Sequence, residues 1–405
     1  MKIKKTGFLL LLSLPLIVHA GGFQINTQSI KGTAMGGAYS GVCKDASGVF
    51  FNPGSMAFMD KNSIIFGAAL IMPSSSYLNP YGSNVDMKNQ IFYPPQLYAN
   101  YKINEKISVG LSINTPYGLG TKWDDDWTGR YVSQEVTLKT FYFQPTVSYL
   151  ITDKIGVGAG FVFTSGNADV RKAQQAGNND IQAELKGNGT GFGYNVGVFA
   201  RIGEKARVGI DYHSKVQVDL NNGDATFSNV PSSLIAAGEV PESTTFNSGL
   251  ALPSSLTIGA SYQITTKLMA TIEFDYTGWD VFDSLNFDFP DYPSLNSHNG
   301  RNYKNSTTIR AGVEYQLKPK IAVRIGGALD QSPVQDDYVS PELPDADKQA
   351  LTVGASYKLN EKFSFDVSYA YENLSERKGN YVQENFNGLY KTRVHIVGIG
   401  INYSW

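Results

Sequence analysis

The side chains that most often carry out chemistry are scarce in this chain. Its 405 residues include four histidines and one cysteine, too few for a metal cluster or a disulfide framework. Hydrolysis through a covalent intermediate needs a serine or equivalent nucleophile with a histidine placed to take its proton. His213, His298 and His395 stand in no such motif, and His19 falls in a stretch that reads as an export signal. An enzyme, even a membrane phospholipase, is therefore not expected, and neither is a cofactor or a metal. The net charge of -2 leaves no electrostatic footprint for nucleic acid. Charged residues make up 17% of the chain, which also has 41 Gly, 24 Tyr and 22 Phe. A soluble protein has ~25% charged residues, so the composition points away from a soluble enzyme and toward elements that contact lipid.

The N-terminus carries Lys2, Lys4 and Lys5, an apolar run over 8–18, and Val18-His19-Ala20 ending on a small residue. Residues 1–20 read as a cleaved signal peptide, and their apolar core is too short to span ~30 Å of hydrocarbon. Cys43 lies too far beyond the cleavage point to be a lipoprotein cysteine and reads as a small buried residue. After residue 20 no apolar run approaches the ~18 residues of a membrane helix. The mature chain is then a soluble exported protein or a membrane β-barrel.

Alternation decides between these. In "RVHIVGIGINYSW", Val397, Ile399, Ile401, Tyr403 and Trp405 share one face, and Gly398, Gly400, Asn402 and Ser404 share the other. Strand side chains alternate between faces, so this is a period-2 strand with one apolar side. The runs after Lys362 and before Leu359 behave alike, and between Thr307 and Leu317 the second face holds Thr308, Arg310, Gly312, Glu314 and Gln316. An apolar face with aromatic ends, opposed to a face of glycine and charge, suits a barrel in lipid with a polar interior. A water-soluble sandwich would bury its apolar face and wet the polar one.

Fourteen such runs are expected, over 63–71, 92–103, 106–115, 137–151, 155–165, 187–202, 206–218, 253–264, 268–280, 304–317, 321–330, 349–359, 363–373 and 391–405. Six tight joins bearing Lys106, Lys154, Lys205, Lys267, Lys320 and Lys362 link them in pairs. The other connections are long, among them 166–186 and 219–252. Short turns on the periplasmic side and long loops outside are the asymmetry of an outer-membrane barrel. The join spacing also approaches that of kelch blades, but a blade needs four strands per repeat and only two are found. Trp405 closes the last strand on an aromatic, as a signal to the barrel assembly machinery. Residues 21–61, rich in Gly, Ala and Ser, do not alternate; Phe23, Phe50, Phe51 and Phe58 argue against a disordered tail. The expected organisation is a signal peptide (1–20), an N-terminal hatch or plug (21–61) and a barrel (62–405).

"GGFQINTQSIKGTAMGGAYSG" (21–41) resembles the mature N-terminus of the FadL/TodX outer-membrane transporters of long-chain fatty acids and aromatic hydrocarbons. Asn52-Pro53-Gly54 matches that family's Asn-Pro-Ala motif with Gly in place of Ala. "TPYGLGTKWDDDWTGRY", "LPSSLTIG", "YTGWDVFDSL", "LDQSPV" and "LPDADK" resemble further family blocks in the same order. The resemblance implies a fourteen-stranded antiparallel transmembrane barrel with a small hatch in the lumen, in the outer membrane of a Gram-negative bacterium. It implies passive movement of a hydrophobic molecule to an apolar pocket beside the hatch, then sideways into membrane lipid through a gap at a kink in strand 3. No fuel is required, and a monomer is expected.

The same resemblance suggests hatch or gate roles for Phe23, Asn52, Pro53 and Gly54, with the turn meeting strand 3 near Gly110. Asp330 could hydrogen-bond the hatch or stand in a solvated loop. A ligand carboxylate in an apolar pocket needs a cation, and Arg171, Lys172 and Arg301 fall near the family's basic residues. "PSSLIAAGEV" (231–240) could supply a short apolar helix in an extracellular loop. A general diffusion porin, or a structural or adhesin barrel, is the alternative.

Overall fold

The computed structural model describes residues 21–405; the expected export signal (1–20) lies outside the described residues. Fourteen antiparallel strands form one closed sheet. They are β1 (Ser63–Leu78), β2 (Pro95–Lys102), β3 (Ile107–Asn114, resuming Gly118–Lys122), β4 (Glu135–Thr152) and β5 (Ile155–Ala176). Then follow β6 (Asn179–Ile202), β7 (Ala206–His213, resuming Val216–Ser228), β8 (Ser243–Leu252, resuming Ser254–Gln263) and β9 (Leu268–Gly278). The wall is completed by β10 (Ser306–Lys318), β11 (Ile321–Asp330), β12 (Lys348–Lys358), β13 (Phe363–Leu374) and β14 (Phe386–Ser404). The ladder between β1 and β14 closes the barrel, from Ser63 opposite Ser404 to Leu78 opposite Leu389. Closure pairs the strand edges around the wall apart from the upper piece of β3, and such pairing is what lets strands sit in hydrocarbon.

Strand parity follows the alternation. Ile399 is 57% exposed and Val397 36%, while a Cβ on Gly398 would meet Ser368 and Ile30 on the inner side. Trp405 stacks on Tyr403 and donates its backbone N–H to Asn62, joining the end of the last strand to the start of the first.

Two strand-length expectations are corrected. Residues 166–186 are not a long loop: β5 and β6 continue as a ladder to Ala176 opposite Asn179, turning at Gly177 with φ +63°. Likewise β1 pairs with β14 well past residue 71. Alternation marks only the part of a strand that has lipid on one side. Above it the ladder goes on with the pattern reversed: Ile181, Ala183 and Leu185 are buried on the inner side, while Gln182, Glu184 and Lys186 take the outer face.

Residues 21–62 lie against the inward faces of the strands. A short helix (Ile30–Thr33), another (Gly48–Phe51) and a 3-10 turn (Pro53–Phe58) make up its ordered elements. Close approach is possible because the barrel presents glycines there. Cβ atoms on Gly312 and Gly326 would overlap the Met35 backbone, and one on Gly158 would overlap Pro53. Buried charge adds to this docking. Glu273 accepts the N–H groups of Tyr39 (3.0 Å) and Ser40 (2.7 Å), and Lys31 lies 3.8 Å from Asp366 of β13.

Candidate functional site

β3 is interrupted at Thr115-Pro116-Tyr117. Below the break Asn114 stands opposite Tyr142 of β4; above it Gly118 stands opposite Lys139, one residue out of step. On its other side β3 pairs with β2 only as far as Ile113 opposite Leu97. Pro94 and Pro95 begin β2, and a proline has no N–H to extend a ladder. The upper piece of β3 therefore has no β2 neighbour.

The N-terminal strip covers the inner side of that break. Ile25 donates its N–H to Pro116 O (2.8 Å), and Gly118 donates to Phe23 O (3.0 Å). Gln28 Nε2 donates to Thr115 O at 2.8 Å, and Asn114 Nδ2 donates to Gln28 Oε1 at 2.8 Å. Phe23 is buried edge-on against Trp279, Phe282 and Tyr117.

Two cavities meet at Phe23. The upper one, about 710 Å³, is walled by apolar side chains that include Leu185, Leu250, Phe282 and Leu285, and also by Lys172 and Arg301. The lower one, about 650 Å³, lies beside residues 22–27. It is bounded on the lumen side by Thr392 and Ile396, and on the wall side by Ile91, Pro95 and Gly120. Lys139 and Phe141, which project from the outer face of β4, also border it, so it reaches the outside through the gap. At that gap Tyr93 is 72% exposed. Phe23, Leu119 and Leu138 border both cavities.

The expected site residues are partly brought together. Phe23 stands at the junction. Asp330, 2% exposed, is no solvated loop residue: it accepts from Asn26 Nδ2 (3.1 Å) and Thr308 Oγ1 (2.6 Å) and lies 3.2 Å from Lys348 Nζ. Arg301 is already engaged, its Nη2 lying 2.6 Å from Glu342. Lys172 points inward and has no polar partner among the described residues. Arg171, its neighbour, faces outward and pairs with Asp125, so strand parity removes it from the cavity.

The expectation that Asn52-Pro53-Gly54 meets β3 is corrected. Asn52 Nδ2 donates to Val198 O (3.0 Å) and Ile210 O (3.2 Å), on β6 and β7. A Cβ on Gly54 would overlap the carbonyls of Gly156 and Gly197, which accounts for Gly at that position. Gly110 of β3 is instead covered by Val49 and Met56. The short apolar helix does form, as Ser232–Ala236.

Not foreseen are Asn26, Gln28 and the position of the expected interruption in strand 3, at Thr115-Pro116-Tyr117. The paired signals of Pro94-Pro95 and Pro116 could have located the break, since prolines inside strand-like runs mark lost pairing. Asp345, in the loop before β12, borders the lower cavity and accepts from Ser332 Oγ at 2.7 Å. Burial pushes its carboxyl up to about 7.

Comparison with known proteins agrees with this architecture. The chain is 25% identical to outer membrane protein P1 of Haemophilus influenzae, over 98% of each chain. It is also 25% identical to the long-chain fatty acid transport protein of Escherichia coli K12, over 95% of each. The crystal structure of a Pseudomonas aeruginosa FadL homologue superposes with a TM-score of 0.87 at 19% identity, covering 95% of this chain and 99% of that one. The profile of the outer membrane protein transport protein family (OMPP1/FadL/TodX) matches residues 11–405, and the chain belongs to that family of outer-membrane transporters.

Proposed function

We propose that the protein carries hydrophobic compounds, long-chain fatty acids or aromatic hydrocarbons, passively across the outer membrane and releases them sideways into lipid. Residues 21–61 act as the hatch. The observation that carries this reading is the lower cavity, which joins the lumen to the outer face of β4 where β3 loses β2. A ligand enters the upper cavity, where Lys172 offers an unpaired ammonium to a carboxylate. Displacement of Phe23 then joins the two cavities, and the gap beside Pro95 and Gly120 leads to lipid. Each methylene is held by ~0.8 kcal/mol on burial and regains that on reaching the bilayer, so no energy source is needed. Folded as a monomer, the barrel depends on Trp405 for recognition by the assembly machinery after signal cleavage.

The diffusion-porin alternative needs an open lumen, and residues 21–61 stand against it. The test is uptake of radiolabelled oleate and toluene by cells carrying Gly120→Phe. A Cβ at Gly120 already overlaps the Phe92 ring, so a bulky side chain fills the gap. Uptake should fall toward that of cells without the barrel, at equal amounts of folded protein. Undiminished uptake would refute the sideways route.

A further inference from the structure

The lower cavity is unevenly charged along its length. Its inner wall carries the carboxylates of Asp345 and Glu372 and one ammonium, Lys348. Lys348 is committed to Asp330 at 3.2 Å and Glu372 at 3.6 Å. The inner end is thus short of positive charge. The outer end carries Lys139, which lies in register with Gly118 just past the break. No ion pair or hydrogen bond engages the Lys139 side chain among the described residues. Below it on the same outer face stand Phe141 and Phe143, and opposite it on β5 is Asn167. Lys139 therefore marks the extracellular border of the apolar band, where a long stem keeps its ammonium in the polar zone.

We infer that Lys139 accepts the carboxylate of an anionic amphiphile at the opening in the wall and so sets the selectivity between anionic and neutral cargo. This rests on the transport reading above and adds a charge preference to it. A carboxylate in an apolar passage is costly unless paired. Glu372 and Asp330, which share the single Lys348 ammonium, disfavour it at the inner end. Among the cations bordering the two cavities, Arg301 and Lys348 are paired and Lys172 and Lys139 are not. The headgroup leaves one free ammonium above Phe23 and meets the next at the wall, with the alkyl chain trailing in the cavity. A neutral hydrophobe of equal length is indifferent to both.

The experiment compares oleate with oleyl alcohol, each radiolabelled, in cells expressing the full chain at equal amounts of folded barrel. Lys139→Gln should lower the oleate-to-alcohol uptake ratio about fivefold, the size of an exposed charge pair. Lys139→Glu should lower it further, and Lys139→Arg should preserve it. An unchanged ratio in both the Gln and Glu variants makes Lys139 a membrane-border lysine only and overturns the inference. Wild-type cells that take up neither probe faster than cells lacking the barrel would overturn the transport reading itself, a result distinct from an unchanged ratio.

Discussion

The N-terminal segment has two parts that are held in different ways. Residues 30–61 are fastened around the barrel: Gly36 N–H to Thr352 Oγ1 (2.9 Å), Gln144 Nε2 to Val49 O (2.7 Å), Ser261 Oγ to Gly41 O (2.7 Å), and the Asn52 bonds to β6 and β7. Residues 21–29 are held at the break in β3, by Gln96 and Tyr98 of β2, which donate to Thr27 O and Gln28 O, by the packing of Phe23 on Trp279 and Phe282, and by Asp330 and Arg310, which reach Asn26 from the opposite wall. The body is bonded to strands on every side and must move as a whole. The strip can be lifted by exchanging a few hydrogen bonds, and it is the strip that separates the two cavities.

The largest difference should appear on deletion. Removing residues 21–61 should leave a barrel with high, steady single-channel conductance; removing 21–28 should leave conductance low while changing uptake of oleate. Equal conductance of the two deletions would erase the distinction between body and strip.

Next comes Glu273→Ala. It strands the Tyr39 and Ser40 N–H groups and leaves the buried Arg310 guanidinium with one carboxylate fewer. Arg310 keeps Asp275, so the cost is that of the two stranded N–H groups, ~1–3 kcal/mol each. Amide exchange across 30–45 should quicken accordingly, while Asn26 and Gln28 in the strip change little.

Asp330→Asn acts on the strip instead. It weakens the Lys348 contact but keeps oxygen and amide for hydrogen bonding, so the loss should be ~1 kcal/mol. It should be read as faster exchange of the Ile25 and Gly118 amides, with 30–61 unaffected. Quickened exchange in the body would mean that the two parts are one cooperative unit.

The most local effect is that of pH on the loop bordering the strip. Burial raises the Asp345 carboxyl from the ordinary aspartate range to about 7. The folded loop then binds a proton more readily than the unfolded one, so its stability falls as pH rises through that window and levels off above it. Asp345→Asn should flatten this dependence in loop exchange measured between about pH 5 and pH 8. A slope that survives the substitution would assign it to another group.

Much of the wall was legible because lipid enforces a simple rule. A strand with hydrocarbon on one side must alternate, so Val397, Ile399 and Ile401 declare their face without any tertiary information. The six lysine-bearing joins set the strand pairing, and the inward glycines follow from the same parity. That parity also separates Lys172 from Arg171, although resemblance alone placed them together. Strand ends above the membrane were not legible, since their apolar residues, such as Ile181, Ala183 and Leu185, face inward and the outer face carries polar side chains, the reverse of the lipid-facing pattern.

The site was less legible, for a different reason. The pattern of residues 21–61 shows that they are not a strand and are too aromatic for a tail. Which wall they touch depends on contacts between residues well over a hundred positions apart, such as Gly36 with Gly327 or Asn52 with Val198. Asn52-Pro53-Gly54 dictates its own corner through the Asn52 Oδ1 bond to Gly54 N–H, yet nothing local says that the corner faces β5 to β7 rather than β3. The sequence by itself determined the strands, their inward and outward faces and the presence of a segment unlike them. Only the tertiary structure decided where β3 parts from β2, which side chains border the opening, and that Phe23 stands between two cavities, because those are properties of packing and of a missing partner, and local periodicity does not encode them.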